Sequence, residues 1–243
     1  MKNIRKHVHC LPVFILVAVL SLPLIATGQT SNGRVRIGYV ITDEDGSRAV
    51  NQETYNLYEG AALSLENLNY TWANGIGFSA NLENITLNNR NLSARAFKPG
   101  LFSASFHHNQ YRRTYDFDGS RFTHRSVIGG DLSVQPVKYV KIFGGVNTTN
   151  NSGPRFTIDP EATDTVTGDV NYQQVVINAG AKILTDYGNL RAEYRRYDVT
   201  DDTPAGLDRT ANSFRVSATA RLPQYDWLEL SGGYYYRLDE LDA

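Results

Sequence analysis

The segment SFRVSATARL (213–222) alternates without a fault, with Phe214, Val216, Ala218, Ala220 and Leu222 set against Ser213, Arg215, Ser217, Thr219 and Arg221. Successive side chains on a strand point to opposite faces, so the pattern demands a strand with one apolar and one polar side. The same period runs through GRVRIGYVIT (33–42), IGFSANLE (76–83) and WLELSGGYYYR (227–237). No helical stripe interrupts it after residue 32, so the expected fold class is all-β and antiparallel. Strands are predicted over 33–42, 58–71, 76–86, 90–97, 101–113, 122–134, 138–147, 171–184, 190–199, 213–222 and 227–238.

Many of these predicted strands are about ten residues long, against ~5–6 in soluble proteins. A strand crosses a bilayer in ~9–11 residues at its usual tilt. The connections add a second constraint. Ala73-Asn74-Gly75, Lys98-Pro99-Gly100, Gln135-Pro136-Val137, TDYGN (185–189) and PQYD (223–226) are tight. They alternate along the chain with long stretches, among them 42–56, 147–171 and 198–212. Short turns at one end and long loops at the other are the habit of outer-membrane barrels, whereas a soluble sandwich mixes them. The expected architecture over 29–243 is therefore an antiparallel transmembrane β-barrel.

Residues 1–28 read differently. Lys2, Arg5 and Lys6 precede the apolar run LPVFILVAVLSLPLI (11–25), and Ala26-Thr27-Gly28 offers small residues for cleavage. That is a secretory signal peptide; a membrane anchor needs a run of ~20 residues. Cys10 lies before the apolar run and is the only cysteine, so the mature chain has no disulfide framework. Of 24 basic side chains, 21 remain against 25 acidic ones, which gives no pull on nucleic acid. The expected location is the outer membrane of a Gram-negative cell.

Aromatic rings settle where hydrocarbon meets water, because they join an apolar body to a polar handle. Trp72, Tyr139, Tyr187, Tyr225 and Trp227 lie beside the tight turns. Tyr58, Tyr111, Tyr115, Tyr172, Tyr194, Tyr197 and the run Tyr234 to Tyr236 lie nearer the long-loop end. Two interfacial girdles are predicted, with Tyr234 and Tyr236 facing lipid. The opposite face is expected to line a lumen with Arg34, Arg36, Glu66, Glu83, Arg95, Asp131, Lys141, Lys182, Arg191, Glu193, Arg195, Arg215, Arg221, Glu229 and Arg237. Such a lining sets ion preference, holds a plug or partner, or forms a structural ion-pair lattice.

Motifs for chemistry are scarce. The sequence has no CxxCH haem site, GxSxG elbow, HExxH or P-loop, and no catalytic or metal residue is predicted. Ser105 and His107 in SASFHHNQ face one side, but a nucleophile pair needs contact and an orienting third group. His108 is expected at an interface. DEDGS (43–47) and DFDGS (116–120) carry the oxygen ligands of calcium loops without the full spacing, and Asp-Gly favours the turn reading. The predicted strand count is odd and the chain ends RLDELDA without an aromatic terminus, so it is expected to be the N-terminal part of a larger barrel.

Several segments carry a resemblance. RAEYRRYDVTDDTP (191–204) runs Tyr-Arg-x-Tyr-Asp into Asp-x-Thr-Pro. PVKYVKIFGGV (136–146) and LPQYDWLELSGGYYYR (222–237) share a turn, a short aliphatic stretch, glycine and an aromatic, and FHHNQYRRTYD (106–116) adds an Arg/Tyr-rich strand end. Together these resemble the MtrB/PioB family of decahaem-associated outer-membrane β-barrel proteins over roughly residues 90–238. The resemblance implies a sheath around a periplasmic multihaem cytochrome in electron transport across the outer membrane. Haem would then belong to the partner cytochrome and not to this chain. Some members carry a cysteine pair near the mature N-terminus, which this chain lacks. A general or substrate-specific porin, and a secreted β-sandwich or adhesin, are the competing expectations.

Overall fold

The computed structural model describes residues 30–41, 59–114, 122–157, 166–203, 206–222 and 224–242. The proposed signal peptide, Tyr58, Tyr115 and both Asp-rich stretches lie outside them. Eleven strands follow one another: β1 (Thr30–Val40), β2 (Gly60–Thr71), β3 (Gly77–Glu83), β4 (Asn91–Lys98), β5 (Phe102–Thr114), β6 (Phe122–Val137), β7 (Val140–Thr157), β8 (Val166–Thr185), β9 (Gly188–Asp201), β10 (Asp208–Leu222) and β11 (Tyr225–Asp242). They form a single meandering sheet in which each strand pairs antiparallel with its sequence neighbours. Among the described residues β1 pairs only with β2 and β11 only with β10, so the sheet they form is open at both edges. The all-β antiparallel expectation holds; closure into a barrel is not seen.

The strands from β6 to β11 are all longer than their sequence suggests. β7 and β8 extend through 147–157 and 166–170, which polar residues and Gly153-Pro154 mark as loop in the sequence. Pairing from Val140↔Ile183 to Thr157↔Val166 is unbroken, because the backbone ladder needs only two partners and no apolar face once it leaves the sheet's apolar zone. β9 and β10 likewise shorten the 198–212 loop to 202–207. The turn assigned to Gln135-Pro136-Val137 lies instead at 138–139, and Pro136 sits at a register irregularity inside β6, where its missing N–H costs least.

The end-to-end asymmetry is present. Connections 72–76, 99–101, 138–139, 186–187 and 223–224 occupy one end, and 41–59, 84–90, 115–121, 158–165 and 202–207 the other. Gly75 and Gly100 have φ of 79° and 71° in the first two tight turns, a conformation that costs a residue with Cβ.

One residue resets the alternation in β2. Leu63 and Leu65 share a face with Leu68 and Tyr70, although their spacing changes parity. Asn67, at φ 52°, is the extra residue of a β-bulge between Leu65↔Leu82 and Leu68↔Ala80. Its N–H donates to Asn81 Oδ1 at 3.3 Å. The bulge keeps Leu65 in the most closely packed cluster of the sheet, with Ala80, Leu82 and Leu92, against which Ile85 and Phe106 pack. Left-handed backbone costs roughly 1–2 kcal/mol for most residues, and Asn and Gly tolerate it best. Asn67→Val should therefore lower stability by ~1–2 kcal/mol, while Asn67→Gly stays close to wild type, as measured by urea unfolding in detergent.

Candidate functional site

Register assigns every strand residue to one of two faces. The row Tyr70–Phe78–Ala96–Ala104–Leu132–Gly144–Ala179–Tyr194–Phe214–Tyr236 crosses ten strands and holds no charged or amide side chain. The neighbouring row of the opposite face reads Ser79–Arg95–Ser105–Asp131–Gly145–Asn178–Arg195–Ser213–Arg237. The apolar side is uncovered: Ile37 is 80% exposed, Ile142 54% and Leu230 52%. Extensive strand–strand contact occurs only between consecutive strands, so no second layer of strands packs over this sheet among the described residues.

On β7 and β8 the apolar zone runs from Val140/Ile183 to Thr148/Val175 and gives way to Asn150/Gln173 and Ser152/Asn171. Those eight residue steps span ~27 Å along the strand at ~3.4 Å each.

All the residues expected to line a lumen share the polar face. Arg34, Arg36 and Glu66 lie there on β1 and β2, Glu83 and Arg95 on β3 and β4, and Asp131 and Lys141 on β6 and β7. Lys182, Arg191, Glu193, Arg195, Arg215, Arg221, Glu229 and Arg237 complete it on β8 to β11. The structure pairs some of them and leaves others alone. Arg36 meets Glu66 at 2.9 Å, Arg191 meets Glu193 at 2.7 Å and Arg221 meets Glu229 at 3.1 Å. Arg221–Glu229 is exposed at both ends, and such a pair is worth only ~0–1 kcal/mol, whereas Glu66 is buried and Glu193 largely covered. Asp131, Lys141, Lys182, Arg195 and Arg215 have no opposite charge within ion-pair distance among the described residues.

Two aromatic rings on this face follow a common plan that sequence reading missed. Phe97 stands opposite Gly77 and Phe143 opposite Gly180, so each ring can lie flat over the missing side chain. Arg95 caps the Phe97 ring at 5.1 Å while donating to Ser103 Oγ at 3.0 Å, and Arg191 caps Phe143 at 4.6 Å. For Phe97 the signal was present as an Arg-x-Phe pair, whereas Arg191 reaches Phe143 from β9, and only register shows which glycine lies opposite either ring.

The aromatics near the tight turns lie at one end of the sheet. Trp72, Tyr139 and Tyr187 sit in or beside three tight turns, and Tyr225 and Trp227 open β11 with ring centroids 6.2 Å apart. The outer group divides. Tyr194, Tyr234 and Tyr236 are on the apolar face, but Tyr111, Tyr172, Tyr197 and Tyr235 are on the polar face. A run of three tyrosines on a strand must split between two faces.

Ser105 and His107 occupy adjacent polar-face positions, and Ser105 is paired in register with Asp131. No hydrogen bond joins the hydroxyl to the imidazole among the described residues, so the trio lacks the contact that nucleophile activation requires. His108 lies on the apolar face, where its Nε2 is 3.2 Å from Ser126 Oγ.

Comparison with protein-family models, curated proteins and solved structures returned no match.

A Cβ at Gly180 would lie 2.5 Å from the Ala192 carbonyl oxygen and 2.6 Å from the Phe143 ring. Gly180→Ala should cost ~1–3 kcal/mol by displacing backbone and ring together. Phe143→Ala in the same background should remove part of that penalty, which a double-mutant cycle on urea unfolding would measure.

Proposed function

We propose that this chain forms the wall of an outer-membrane β-barrel whose polar face lines a conduit. The observation that carries the reading is the stagger of the strands between a mainly apolar and a mainly polar face. The apolar row that leaves β2 at Tyr70, beside the tight turn after Thr71, reaches β11 at Tyr236, deep in a strand that begins at Tyr225. The row climbs roughly ten residues in nine strand-to-strand steps, and at ~3.4 Å per residue and ~4.8 Å per step the strands tilt by ~38°. Closed barrels tilt their strands by ~35–45°. The ~27 Å apolar zone on β7 and β8 agrees with the ~25 Å band that such barrels present to lipid.

In this reading the uncovered apolar face meets hydrocarbon, and the tight turns lie on the periplasmic side. Unpaired backbone groups in hydrocarbon cost several kcal/mol each, so the edges at β1 and β11 require partner strands. Further polypeptide or a second copy of the chain supplies them. The resemblance to the MtrB/PioB family favours a periplasmic multihaem cytochrome as the occupant of the conduit, with electron transport as the function. A charged and aromatic lining that includes unpaired Lys141, Lys182, Arg195 and Arg215 is compatible with holding such a partner.

Ala218 faces lipid in this arrangement and Thr219 faces the lumen. Ala218→Arg should cost ~2–4 kcal/mol near the bilayer midplane and Thr219→Arg much less, as read from folding into lipid vesicles. Equal costs would overturn the assignment of faces. Epitope tags in 158–165 and 202–207 should be reached on intact cells, and tags at 138–139 and 186–187 should not. The reverse pattern would invert the orientation.

Cross-linking in native membranes followed by haem staining tests the partner. A haem-bearing protein should be captured through polar-face positions only. Steady ion conductance by the complete purified protein without any partner would favour a porin instead.

A further inference from the structure

We infer that the polar face of β9 to β11 holds a binding site for a small oxyanion, a phosphate- or carboxylate-bearing solute. Three adjacent rows define it: Glu193–Arg215–Tyr235, Arg195–Ser213–Arg237 and Tyr197–Ala211–Asp239. Ser213 and Ala211 are short and form the floor. Arg195 and Arg237 flank Ser213 on the two neighbouring strands, ~4.8 Å to either side, and Arg215 stands ~7 Å along β10. An arginine side chain is long enough to bring all three guanidinium groups over the serine. Tyr197 and Tyr235 rise at opposite corners with phenolic groups able to donate. The half-open cleft that these residues line has a volume of about 650 Å³, within the range that takes a small molecule.

Lys141 and Lys182 also lack an acid among the described residues of this face, but the cluster here is built of arginines, whose forks suit oxyanions. Glu193 is engaged by Arg191, through Nη2 at 2.7 Å and Nε at 3.1 Å. Asp239 accepts from both Arg209 at 2.9 Å and Arg237 at 2.8 Å. Arg195 and Arg215 have no carboxylate partner among the described residues, and Arg237 has only a shared one. Elsewhere Arg36, Arg221 and Arg95 each have a carboxylate, or a hydroxyl and a ring, to themselves. Guanidinium forks match the paired oxygens of phosphate and carboxylate, and an anion between them relieves the mutual repulsion of like charges. The site needs only the folded sheet, so it stands whether the conduit holds a cytochrome or conducts ions.

The test is calorimetric titration of the complete protein, folded in detergent, with pyrophosphate and separately with citrate. Saturable, salt-sensitive binding of either probe at one site is expected; pyrophosphate alone would assign a phosphate ligand, and citrate alone a carboxylate. Arg195→Gln and Arg215→Gln should each weaken it ~10-fold or more, as loss of a charged fork does. Ser213→Leu should abolish it by filling the floor, and Arg36→Gln should leave it unchanged. Should a glutamine variant fail to fold, Arg195→Lys and Arg215→Lys keep the charge and should still weaken binding by removing the fork. Absence of binding by the wild type, or unchanged affinity in the arginine variants, would overturn the site. So would an equal loss in Arg36→Gln, which would mean a diffuse field. Lost binding in a protein whose tags map correctly on cells overturns this site alone; retained binding in one that does not insert overturns the barrel reading alone.

Discussion

The antiparallel hydrogen-bond ladder is the constraint on which everything else in this molecule depends. It runs through eleven strands in sequence order, and each step fixes which side chains stand opposite one another. A slip of one residue in any pairing would send that strand's apolar set to the polar side. The registers instead align Tyr70 with Tyr236 through eight intervening strands, and every residue in that row is apolar, aromatic or glycine. Where the chain carries an extra residue, as at Asn67, a left-handed bulge absorbs it and the faces stay separate.

Little energy is invested in the polar face itself. Its ion pairs leave their arginines exposed, and a pair exposed at both ends, such as Arg221–Glu229, contributes little to stability. Their arrangement is more informative than their number. Acids are spent on some arginines and withheld from Arg195 and Arg215, while Ser213 and Ala211 leave the space between them open. On an apolar sheet face in water the balance would be reversed, because the uncovered Ile37, Ile142 and Leu230 represent unfavourable contact with solvent. The hydrocarbon surrounding proposed for that face removes the cost.

The same stagger that tilts the strands also leaves the sheet's two ends different. Tight turns need glycines such as Gly75 and Gly100 and allow little variation. At the other end β7 and β8 continue as a two-stranded ribbon past the last apolar pair. There the ladder is held by backbone bonds.

Much of this was legible from the sequence. Period-two alternation in segments such as SFRVSATARL determines strand, facing and the polar or apolar character of each face, because the pleat has a fixed period. It also determined the alternation of tight and long connections. Three things needed the tertiary structure. The ends of β7 and β8 were hidden because a ladder beyond the apolar zone has no amphipathic signature. The face change in β2 was hidden because a bulge is a backbone conformation of Asn67, not a change in composition. The cluster around Ser213 was hidden because Arg195, Arg215 and Arg237 come from three strands, and only register brings them together. Alternation is local and can be read along the chain; which residues become neighbours across strands is settled by pairing, and pairing is a property of the sheet.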